Sequence, residues 1–362
     1  MPNEAAPQTH SGRVWTVLMS WIGRVTAIVG LCVTLGGGAT WLVAHHRQHA
    51  QRAAQLALAQ AQADQGDYQS ALATCAALLK SDPLDPMALE SQLSSAMLWA
   101  ENFSVLVPEG QSAAQAAGPA LDQIVAVLQS GLARSKGTRA ADVLAHLGWA
   151  HWLNQHIAER EFGSAAVQDF LAALAADPGN VYANAMLGNW MLQNGGDFSE
   201  AVRHFHIAVN TQKALPFVHL LEIGGLTSYD GLGSRRELIV AANSMRLHGE
   251  ALSPDERSRV FAFCCDVADT ERAELVESLS AVPPQDAWLT YLWLEGSPSG
   301  TSSIALRELT HNYIQASLLE ISGQRPQALR QYRVLQQKLR SQPDISLQAD
   351  VDAAVVRLAR SR

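Results

Sequence analysis

The sequence predicts an all-α protein: a helical repeat domain, an α-solenoid of helix-turn-helix units, preceded by one N-terminal transmembrane helix. Three observations predict it. Ala and Leu dominate while β-branched residues are sparse, a composition that favours helix. After Arg52, apolar residues recur at i, i+3 and i+4, cut by short clusters of Gly, Pro, Asp and Asn, so helix, turn, helix is the recurring unit. Residues 25–44 carry no charge at all. At 1.5 Å per residue such a run crosses a hydrocarbon core of about 30 Å.

The N-terminal elements follow from that run. Residues 1–24 form a tail, 25–44 the membrane helix and 45–52 a juxtamembrane linker. Trp21 and Trp41 stand near the two ends, where amphipathic rings prefer the headgroup region. A cleaved signal peptide is the competing reading, with Gly37 and Ala39 as the small residues before the cut, but the leading segment and the apolar run are both long for one. Thr26, Gly30, Thr34 and Gly38 share one helix face, which permits close helix contact and a homodimer. Arg13 and Arg24 on one side balance Arg47 and Arg52 on the other, so the positive-inside count is a tie. The uncharged chain after Arg52 favours an extracytoplasmic domain. Lysine occurs only at 80, 136, 213 and 338, which with the Ala richness suggests a GC-rich bacterial genome and hence an inner-membrane location.

Four segments of the remaining chain, 53–343, superimpose. Residues 56–83 and 186–209 each place a small residue in the first helix (Ala59, Gly188). A Gly-Asp-aromatic turn follows (Gly66-Asp67-Tyr68, Gly196-Asp197-Phe198), then an Ala (Ala71, Ala201). A third copy starts at Val143 and its second helix ends at Asp177-Pro178; a fourth runs from Ala316 through Gly323, with Ala328 and Tyr332 in register. A bulky side chain at Gly148, Gly188 or Ala59 would hold paired helices apart, and Pro after Asp stops the second helix. These residues, with Leu147-Gly148, Leu187-Gly188 and Asp82-Pro83, resemble the tetratricopeptide repeat family.

Between the clear copies, 234–249, 253–265, 270–279 and 287–294 read as amphipathic helices of irregular units. Two insertions, 107–119 and 296–303, interrupt the pattern, and 344–362 forms a last helix capping the stack. A net charge of −8 argues against a nucleic-acid partner, which needs clustered Lys and Arg.

Chemistry is sparse. No nucleophile elbow, phosphate loop or zincin motif occurs, so no catalytic residue, cofactor or metal set is expected. His146, His151 and His156 diverge around one helix, and His45, His46 and His49 read as interfacial polarity. Adjacent Cys264 and Cys265 read as buried thiols. The resemblance implies a concave surface lined from the first helix of each unit. Carried over residue by residue, it selects Asp142, Trp149 and Trp152 in one copy and Tyr182, Asn189 and Gln193 in the next. The aromatics either anchor a peptide partner or fill the core between helices, and Asn189 and Gln193 can bond a peptide backbone. The expected function is a membrane-anchored scaffold holding protein or peptide partners, as in bacterial envelope assembly. Two other classes compete: an enzyme with carboxylates at Asp230, Glu237, Asp255, Glu256, Asp266 and Asp269, and a structural spacer dimerising through the membrane helix.

Overall fold

The computed structural model describes residues 45–104, 106–160, 164–210, 216–229, 231–265, 272–296, 304–341 and 345–360. The 25–44 segment, with Thr26, Gly30, Thr34 and Gly38, lies outside the described residues. Among those described, no helix is long and apolar enough to cross a membrane. They hold sixteen helices and no strand, so the chain is all-α. They divide into two compact units, up to Trp99 and from Ala100 onward.

The first unit holds α1 (45–64), α2 (Tyr68–Ser81) and most of α3 (Pro86–Glu101). Residues 45–52, the expected juxtamembrane linker, are helical and continuous with 53–64: nothing in HHRQHAQR breaks a helix. The predicted Gly-Asp-Tyr turn joins α1 to α2. Gly66 takes φ +80°, a left-handed value that glycine adopts without a Cβ penalty, and Asp67 caps α2 by accepting from the Ser70 amide. Ala59, Ala71 and Leu72 are fully or almost fully buried.

The second unit continues with α4 (Ala113–Leu132), α5 (Gly137–His156), α6 (Ala165–Ala176), α7 (Val181–Gln193), α8 (Phe198–Val209), α9 (Pro216–Thr227) and α10 (Leu232–His248). It ends with α11 (Pro254–Cys264), α12 (Arg272–Leu279), α13 (Pro284–Glu295), α14 (Ile304–Ile321), α15 (Arg325–Leu339) and α16 (Ile345–Arg360). The expected insertion at 107–119 is loop only as far as Ser112. There a capping box, in which the Ser112 hydroxyl accepts from the Gln115 amide and the Gln115 side chain from the Ser112 amide, starts α4 early enough to include Pro119.

Small residues set the hairpins. A Cβ on Gly148 of α5 would lie 2.7 Å from the Phe170 ring and 2.9 Å from the Ala166 carbonyl oxygen of α6. On Gly188 of α7 it would lie 3.0 Å from the Ala201 carbonyl oxygen of α8. Helix α5 packs on α6, α7 on α8, and α5, α7 and α9 pack successively on one another.

The turns after α2 and α6 repeat the same chemistry. Asp82 and Asp177 end their helices and bond the amides of Leu84 and Gly179 across the Pro. Three residues on, Asp85 and Asn180 cap the next helices by accepting from Ala88 and Ala183. Each cap is also held from the preceding hairpin's first helix: Arg52 donates to Asp85, and Asn180 donates to Asp142 at 2.7 Å. At the C-terminus, Leu347, Val351, Ala354 and Leu358 of α16 bury one face in a core with Leu329, Tyr332, Leu335 and Leu339 of α15.

Candidate functional site

Helix α5 carries a row of rings one turn apart. Trp149 and Trp152 stack at 4.4 Å with an interplanar angle of 13°, and Trp152 stacks in turn on His156 at 4.3 Å. Trp149 also meets Phe217 of α9 edge-on at 5.9 Å. Among the predicted site residues, Trp149 is core: it is 6% exposed and donates its indole N–H to the Ala100 carbonyl at 3.0 Å. Trp152 is half-buried, and its indole N–H, shut off from solvent, has no acceptor.

Tyr182 of α7 is half-buried with its ring 4.6 Å from His146. Burial, reinforced by the charges of Glu101 and Asp142, pushes its hydroxyl up to about 12. Asp142 accepts from the Asn180 side chain. Asn189 is buried and accepts from the exposed Gln193 at 3.1 Å. The structure therefore leaves Trp152, Tyr182 and Gln193 partly or wholly open to solvent. Trp149 and Asn189 stand behind them.

The chain matches no family model, and no curated protein matches it in sequence. Function has to be read from these residues themselves.

Of the carboxylates of the expected enzyme region, Glu237, Asp255 and Glu256 fall among the described residues. Asp230, Asp266 and Asp269 lie outside the described residues. Glu237 pairs with His206 at 3.0 Å, and Glu256 closes the capping box of α11 with Ser253. The sulfurs of Cys264 and Cys265 lie 2.9 Å apart as buried thiols. His45 and His49 bring their Nε2 atoms to 2.9 Å on an exposed turn of α1.

A second constellation lies between α9 and the end of α10. His219, His248 and Glu250 each bring a ligand atom within 4.8 Å of the other two. His219 Nδ1 lies 3.3 Å from Glu222 Oε2, and His219 Nε2 lies 3.6 Å from Glu250 Oε1. Burial pushes the Glu222 carboxyl up, against the pull of the neighbouring His219. The sequence reading missed this group because its members sit on different elements. The available signal was the Glu directly after Gly249, a helix-ending glycine position normally followed by an apolar residue.

Proposed function

We propose that this chain is a membrane-anchored scaffold whose helical repeats, similar to tetratricopeptide repeats, bind a protein or peptide partner along α5 and α7. The observation that carries this reading is the ring row of α5, which reaches across to Phe217 of α9 while keeping Trp152 partly open. In a stack of hairpins, first helices two units apart approach each other only on the inner side of the curve. That is the side repeat proteins use for partners. The sequential packing of α5, α7 and α9 supports a repeat stack. So do the tight Gly148 and Gly188 contacts and the shared Asp-Pro turns. The uncharged 25–44 run supports the anchor, and an extracytoplasmic repeat domain of a bacterial inner membrane is part of the same reading.

Half-exposed aromatics suit the anchoring role at an interface, where truncating a central ring costs about 2 kcal/mol or more of affinity. The test is a photo-reactive side chain at Gln193 of the full chain in cells, with the cross-linked partner identified by mass. Trp152→Ala with Tyr182→Ala should abolish that adduct while helicity by circular dichroism stays unchanged. An undiminished adduct in the folded double variant would move the binding surface elsewhere. Protease digestion of a C-terminal tag, before and after detergent lysis, reads which side of the membrane holds the domain.

A further inference from the structure

Glu250 is the most exceptional side chain of the described residues. It is 8% exposed, and neither carboxylate oxygen has a hydrogen-bond partner. A buried carboxylate without a partner is strongly disfavoured unless a cation stands beside it. The chain places it there deliberately. Gly249, at φ +71°, ends α10, and the amides of Gly249 and Glu250 bond back to Arg246 and Met245 at 3.2 and 2.9 Å. This turn folds Glu250 against α9.

The two imidazoles facing it are each oriented from behind. His248 Nδ1 donates to the Ser244 carbonyl at 2.9 Å; that oxygen can only accept, so the ring's lone pair is on Nε2. His219 sits between two carboxylates. With its Nδ1–H directed at Glu222, its Nε2 lone pair faces Glu250. A lone pair beside a carboxylate repels it, and a cation between them resolves both.

We propose that His219, His248 and Glu250 form a binding site for a divalent transition-metal ion of the zinc class, with Glu222 as the carboxylate that orients His219. Two nitrogens and one oxygen suit Zn²⁺ better than the hard cations Ca²⁺ and Mg²⁺, which take oxygen. Tetrahedral zinc at about 2.0 Å from its ligands needs donor atoms roughly 3.3 Å apart. The donors here are within 4.8 Å, and His219 and Glu250 are already at 3.6 Å, so side-chain rotation suffices. His248 is exposed and opens the site to solvent, giving an entry path and a fourth position for water.

The experiment is Zn²⁺ titration of the full chain, stripped with chelator, in a His45→Ala, His49→Ala background that removes the exposed histidine pair. One Zn²⁺ per chain is expected, with Co²⁺ giving the visible bands of a four-coordinate site. His248→Ala, at an exposed position that leaves the fold intact, should weaken binding by at least tenfold. Glu222→Gln should weaken it by about 10- to 100-fold through His219 alone. Glu250→Gln should abolish it. A stripped chain that takes up no Zn²⁺ would overturn the proposal. Uptake unchanged in both His248→Ala and Glu222→Gln would overturn it equally.

Discussion

At Gly148 one added carbon would press on the Phe170 ring and the Ala166 carbonyl, and the backbone oxygen cannot turn aside. Gly148→Ala should therefore cost about 1–3 kcal/mol by forcing α5 off α6. Gly224, exposed within α9, has nothing within 4 Å of its would-be Cβ. Gly224→Ala should stabilise by about 0.5–1 kcal/mol, because the variant has less backbone freedom to lose. Urea unfolding of the two variants checks this, and a loss of stability at both sites would remove the steric account. The small residues were legible in the sequence because a close helix crossing requires them locally. The role of Trp149 was not, since helical spacing puts it on a face but cannot say that the end of α3 supplies an acceptor there. Glu250 was harder to read for a related reason: the Glu after Gly249 was a signal, but His219 comes from α9, and no local period joins the two.

The turn chemistry is where sequence and element agree most closely. Gly66-Asp67-Tyr68 and Gly196-Asp197-Phe198 were readable as turns, and in both the aspartate also caps the helix that follows. Pro119 was misleading. A proline usually marks a helix end, but Pro119 lies inside α4, in its second turn, where it forfeits one bond to the Gln115 carbonyl while the capping box at Ser112 sets the helix start. Asp85 gives an acid-dependent prediction for α3. The bond from Arg52 holds its carboxyl below the ordinary range, helped by the amides of Ala88 and Met87 and opposed by burial. The unfolded chain thus takes up this proton first as pH falls. The stabilisation is fully present above the unfolded value of about 4 and is lost as pH drops through the lower folded value. Melting curves between about pH 5 and about pH 2 should show an acid-side loss that Asp85→Asn flattens. An identical acid limb in that variant would mean other carboxylates govern it.

For the whole molecule, the all-α class was readable because composition and period act at every residue. The order in which helices meet was not, being set by contacts between residues far apart in the chain. One consequence concerns the C-terminus. Leu347, Val351 and Leu358 bury one face of α16 on α15. At about 1.5–3 kcal/mol per such side chain, their loss is comparable with a domain's whole margin of about 5–15 kcal/mol. Deleting 342–362 should raise binding of a hydrophobic dye and lower the melting midpoint; a soluble truncation melting like the full chain would make α16 dispensable. A different consequence follows from the two cross-hairpin bonds. Arg52 meets Asp85, whereas Asp142 meets Asn180. If the hairpin carrying Asp142 were spliced in front of Asp85, two acids would face each other, and Arg52 placed before Asn180 would find no counter-charge. The units share a plan yet are not interchangeable parts, and each is keyed to its own successor. Exchanging these hairpins should therefore cost stability that neither hairpin alone predicts.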